Sequence, residues 1–275
     1  HVQPTGRPEK LQASVGPYFS DKWPTKHPYK IWLSSYNIDI PAGATNYLVH
    51  DQYQLSADAD LLSFLPHAHY LGKEMKGYAI LPDGMRRELF RIASWDFNWQ
   101  GDYRFAEPVF LPKGTRVHME IHYDNSTNNS ANPNHPPQRV LYGGQSSDEM
   151  AELWLQVLLR EPADRTTLAA TYGRKRREGM AARAEYLLRE QPQKAEGYII
   201  KGNLLSTKNQ REEAIALLRR ACELEPNSEE AHFDLAGILQ RAGRLDEAQK
   251  EFTEVLRINP LDNTSHGSLG IISLQ

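Results

Sequence analysis

Two histidines one residue apart, His67 and His69 in the run Leu65-Pro66-His67-Ala68-His69-Tyr70-Leu71-Gly72-Lys73, are the part of the chain best suited to chemistry. On a strand, alternate side chains share a face, so the two imidazoles stand side by side. Neutral imidazole is the commonest metal-ligating side chain, and two from one strand make half a site. A pair of surface histidines is the alternative reading of such a spacing. His118 and His122 are four apart and also share a face of any regular strand; solvated strand histidines are the expectation there. His50, His135, His232 and His266 show no partner pattern. Cys222 is the single cysteine, which leaves no internal disulfide and no cysteine-based metal site. The run Arg174-Lys175-Arg176-Arg177 reads as the solvated face of a helix rather than an anion patch.

The elements that must position these groups differ between the two halves of the chain. Residues 1–158 are rich in Pro, Gly, Asn, aromatics and β-branched residues. Short alternating runs recur at Lys30–Leu33, Asn46–Val49, Lys76–Ile80 and Thr115–Ile121, separated by turn signals at Pro41-Ala42-Gly43, Pro82-Asp83-Gly84 and Pro112-Lys113-Gly114. Many short strands without a long helix predict an antiparallel β-sandwich or jelly roll. Within it, Trp95–Gln100 reads as core and the Asp124-Asn125-Ser126 run as a loop.

From 159 to 275 the grammar is helical, with Ala, Leu, Glu and Arg dominant. Pro192, Pro226 and Pro260 recur at 34-residue steps, as do Ala214 and Ala248, and Gly202, Ala236 and Gly270. Small residues where two helices touch and a proline closing the second helix resemble the tetratricopeptide repeat, a protein-interaction module. The repeats fall at 195–228 (Gly202, Ala214, Ala221, Pro226) and 229–262 (Leu235, Ala236, Ala248, Phe252, Pro260), with a weaker unit at 161–194 and a partial one at 263–275.

The His67-Ala68-His69-Tyr70-Leu71-Gly72-Lys73 run, taken with Gly143-Gly144-Gln145-Ser146-Ser147-Asp148-Glu149-Met150, resembles the second copper domain of the ascorbate-dependent peptidylglycine and dopamine monooxygenase family. The resemblance implies a multidomain β plus α fold, a jelly-roll-like copper domain followed by the repeat array. It implies copper at His67, His69 and Met150 as the oxygen-activating site, and the soft thioether of Met150 suits Cu(I). It further implies O2 and an unidentified small organic substrate as reactants, ascorbate or another reductant as electron donor, and a second copper whose last ligand would be His1. Leu65, Glu152 and Trp154 stand where the peptide-amidating members place substrate contacts, so the substrate class is not implied. The rival expectation is a non-catalytic copper-binding scaffold whose repeats dock a protein partner.

A formal net charge of -3 gives no reason to expect nucleic acid, and no apolar run is long enough to span a bilayer. The chain opens at His1 without an initiator methionine and closes inside a repeat, so it reads as a fragment. Its upstream copper domain would lie before His1, and the fragment alone is expected to be inactive. Family analogy places it outside the cytoplasm.

Overall fold

A computed structural model describes residues 7, 10, 12 and 14–274, and divides into two compact units, 1–172 and 173–275. Among the described residues the first unit contains ten strands. β1 (Tyr29–Ser34), β10 (Glu152–Leu159), β4 (Ala59–His67) and β7 (Tyr103–Leu111) form one antiparallel sheet in that order. β3 (Tyr47–Gln54), β8 (Arg116–Tyr123), β5 (Gly72–Ile80) and β6 (Arg86–Ile92) form another, and β2 (Asp39–Ile40) with β9 (Val140–Leu141) makes a short ribbon.

Alternation decides which residues meet in the core. Ile31 and Leu33 of β1, Leu153, Leu155 and Val157 of β10, and Val117, Met119 and Ile121 of β8 are all buried in one cluster fed by both sheets. Each large aliphatic side chain withdrawn from water contributes about 1.5–3 kcal/mol, the main term holding the unit together. The register of β10 against β4 sets Glu152 opposite His67 and Trp154 opposite Leu65. That pairing brings the second sequence segment of interest to the end of the strand that carries the first histidine.

Asn125, read from sequence as part of a loop, does lie in one and is fully buried. Its side-chain amide donates to the carbonyls of Ile40 (3.3 Å), Pro41 (3.0 Å) and Gln138 (2.7 Å), while its Oδ1 accepts from Asn132 at 2.9 Å. The loop is therefore an internal brace, because a buried segment without secondary structure must satisfy its carbonyls with side chains.

Six helices follow. α1 (Asp164–Glu190) spans the division between the units and is a single helix of 27 residues, where the sequence reading places a weak helix pair at 161–194. Helix-favouring Ala, Leu, Arg and Glu run through it with no turn signal beyond Gly173 and Gly179, so nothing reverses the chain. Its first turns belong to the β unit: Leu168 and Tyr172 join that core, and the Tyr172 hydroxyl donates to Trp32 O at 3.1 Å and accepts from Trp32 N at 2.7 Å. The compact division accordingly falls after Tyr172 rather than at the change of composition near 158.

In the second unit α2 (Ala195–Thr207) pairs with α3 (Arg211–Leu224) and α4 (Glu229–Arg241) with α5 (Leu245–Ile258), before α6 (Asn263–Ser273). The 34-residue step is visible in local chemistry. Asn209 and Gly243 hold the equivalent left-handed positions (φ 62° and 76°) in the two interhelix turns. Ser228 and Asp262 cap α4 and α6, each accepting from the backbone N–H three residues on. Ala214 and Ala248 are fully buried, and a Cβ on Gly202 would press on Leu218. Close helix approach therefore depends on small residues at these contacts.

Candidate metal site

His67 closes β4 and His69 lies just beyond it, their rings 5.2 Å apart between centroids and nearly perpendicular. Each imidazole has its Nδ1 turned to an acceptor. That of His67 is 2.5 Å from Gln100 Oε1, and that of His69 is 2.9 Å from the carbonyl of Asp148. The acceptors place the ring proton on Nδ1 in both, which leaves each Nε2 lone pair for a metal, the arrangement in which outer partners orient histidine ligands. Burial holds the His69 imidazole below its ordinary value despite the Asp148 carbonyl, favouring the neutral ring a metal requires.

Glu149 organises the other side. Its side chain is fully buried, and its Oε2 accepts from the backbone N–H of His69 (2.8 Å) and of Met150 (3.3 Å), while Oε1 accepts from Leu71 N–H (2.6 Å). One carboxyl oxygen thus holds the main chains of His69 and Met150 together. The Tyr123 hydroxyl donates to Met150 O at 2.5 Å and fixes it further. Burial pushes the Glu149 carboxyl up to about 8 against the opposing pull of the three N–H donors. The loop 143–148 curls back on itself, with Gly143 N–H donating to Glu149 O and Asp148 N–H to Gln145 O, and this delivers the Asp148 carbonyl to His69.

The Trp95–Gln100 segment, expected as core, is part of this site. Trp95 is buried and its indole donates to His69 O at 3.1 Å; Phe97 stands edge-on to the His69 ring, and Gln100 holds His67. Trp99 is exposed. The roles of Gln100, Asp148 and Glu149 have no signal in the sequence, because a polar residue in a loop carries no periodicity that reveals its partner.

Glu152, across from His67, is buried and accepts from the Trp154 indole at 3.1 Å; burial raises its carboxyl. Trp154 stacks on Trp32 at 4.8 Å and, with Leu65, lines a hollow of about 400 Å³ beside β4 that Lys30 and Arg104 border.

The remaining histidines divide. His118 is not solvated: it is buried, stacks flat on Tyr78, and its Nδ1 lies 3.0 Å from Nε2 of His50, a histidine without a partner pattern in the sequence. His122 instead contacts Asn46. His232 is buried between helices with Nδ1 2.6 Å from Glu251. His1 lies outside the described residues. In the basic run, Arg174, Arg176 and Arg177 are exposed.

One family description, the tetratricopeptide repeat, matches residues 206–269. No curated protein matches the chain. Solved structures similar to it include the Arabidopsis OM64 TPR domain, at 14% identity over 38% of this chain and 87% of that one with a TM-score of 0.35. The first TPR of Spaghetti (RPAP3) bound to an HSP90 peptide matches at 14% identity, 38% and 82% coverage and TM-score 0.35. MamA matches at 21% identity, 39% and 64% coverage and TM-score 0.35.

These findings correct the family and fold readings. The tetratricopeptide signal is supported by the match at 206–269; membership of a copper monooxygenase family is not, and its reactants, O2 and an organic substrate, lose their support with it. The fold expected as a jelly-roll copper domain plus repeat array is replaced, among the described residues, by antiparallel sheets and six helices. Short shared runs such as His-X-His and Ser-Ser-Asp-Glu-Met are local, and local identity does not fix a family. No helix among the described residues is long and apolar enough to cross a membrane.

Proposed function

We propose that the chain is a docking scaffold whose helical repeats bind a protein partner and whose β unit carries a copper site of His67, His69 and Met150. The observation that carries the docking half is the repeat match at 206–269, since paired helices stacked on one another present the extended concave surfaces such arrays use. The copper half is supported by two imidazoles with Nδ1 already engaged and a methionine tied to His69 through Glu149. Two imidazoles and a thioether suit Cu(I) over hard divalent ions. Copper held there would supply a soft, redox-active Lewis acid.

Two experiments test the halves separately. Titration of the purified chain carrying Cys222→Ser, so that the single thiol cannot compete, with Cu(I) against a chromophoric chelator should give one tight equivalent, lost in both His67→Ala and His69→Ala and weakened in Met150→Ile. Full affinity in all three removes the copper site. For docking, a photo-cross-linking residue at Asn203 or Asp234, which bond to each other between α2 and α4, should capture a protein in the native cell. That protein, once purified, should bind the chain saturably. Absence of any saturable partner overturns the scaffold reading whatever the copper result.

A further inference from the structure

We propose that Cys222, His232 and Glu251 form a zinc site that ties three successive helices of the repeat unit together. Cys222 comes from α3, His232 from α4 and Glu251 from α5, and one ligand atom of each lies within 4.8 Å of the others. Counting cysteines along the sequence excludes such a site; the antiparallel packing of α3, α4 and α5 assembles it from three residue types.

His232 sits between the other two groups. It is only 8% exposed, and its Nε2 donates to the Pro226 carbonyl at 3.2 Å. That leaves Nδ1 facing Glu251 Oε2 at 2.6 Å. Metal-bound histidines typically donate their other ring N–H to a backbone carbonyl in this way, which fixes both tautomer and ring orientation. A separation of 2.6 Å between an imidazole nitrogen and a carboxylate oxygen is bridged by a proton. A divalent cation takes that proton's place and also displaces the proton of the Cys222 thiol, releasing both to solvent. With Zn–S near 2.3 Å and Zn–N and Zn–O near 2.0–2.2 Å, tetrahedral ligand atoms sit roughly 3.3–3.6 Å apart. Binding would draw the three ligand atoms in from their present spacing of up to 4.8 Å. Three protein ligands leave the fourth position to water.

The surroundings favour a cation. Glu223 and Glu254 add negative field at Cys222 and His232, although Arg257 binds Glu254 at 2.7 Å and also reaches the Pro226 carbonyl. Burial pushes the free thiol up to about 12, so without a metal Cys222 is an inert thiol rather than a nucleophile. The plain alternative is an interhelix His–Glu ion pair beside an unrelated cysteine.

Cobalt(II) titration of the full chain separates the two readings. With one cysteine in the sequence, a thiolate-to-cobalt charge-transfer band reports Cys222 alone. The expected result is one equivalent of band-forming cobalt, displaced by stoichiometric zinc, absent in Cys222→Ser, and retained when His67 and His69 are both replaced by Ala. His232→Gln and Glu251→Gln should each weaken cobalt binding at least tenfold. Because these variants could disturb helix packing, zinc protection of Cys222 against maleimide in the unmutated chain is the second measurement. Absence of the thiolate band, or alkylation unaffected by zinc, overturns the site.

Discussion

Glu149 should be the residue on which the geometry of the His67–His69 site depends most, although it is not among the ligands. Replacing it by Ala removes the acceptor for three backbone N–H groups, of which those of His69 and Leu71 are deeply buried. An orphaned buried donor costs about 1–3 kcal/mol, so the two contribute roughly 2–6 kcal/mol together. Relief from burying a carboxyl that the site disfavours offsets part of this, leaving an expected destabilisation of the β unit of about 2–4 kcal/mol. Glu149→Gln should cost less, since its remaining carbonyl oxygen can still accept from one side of the clamp. Urea unfolding followed by tryptophan fluorescence suits the measurement, because all five tryptophans lie before residue 155. Helix melting by far-ultraviolet circular dichroism reports the repeats separately. Cu(I) competition on the same variants should show weaker binding in Ala than in Gln. A change below about 0.5 kcal/mol in Glu149→Ala with copper affinity intact would refute the clamp, placing Glu149 with neutral surface substitutions.

Asn125→Ala removes the donor for three carbonyls and the acceptor for Asn132, and should lower β-unit stability by about 2–3 kcal/mol in urea unfolding, with the repeats unaffected. Ala248→Leu and Ala214→Leu insert bulk at fully buried helix contacts and should cost about 1–3 kcal/mol each, read as a lower Tm of the helical transition. The His118 imidazole is held below its ordinary value of about 6.5 chiefly by burial, with His50 and Arg116 adding repulsion. Below pH 6.5 the unfolded chain takes up a proton that the folded chain resists, so β-unit stability should fall as pH drops through this range. His118→Asn should flatten that part of the curve; an unchanged slope would show that other groups set it.

Periodicity in the sequence determines much of this protein. The 34-residue recurrence of Pro192, Pro226 and Pro260 places the starts of α2, α4 and α6, because repeated helix pairs must present the same small residues and turns at every step. Alternating runs place β1, β3, β5 and β8 for the same kind of reason, since a half-buried strand writes its two faces into alternate residues. Local pattern misleads where it is taken for kinship: two short motifs suggest a copper enzyme that the comparisons do not support. The pattern is silent wherever the partner is distant in sequence. Glu149 bonding His69, Gln100 bonding His67, His50 meeting His118, and Cys222, His232 and Glu251 converging from three helices are all products of strand register and helix packing. Buried polar groups must find partners wherever the fold brings them, and a contact across dozens of residues has no spacing for the sequence to display.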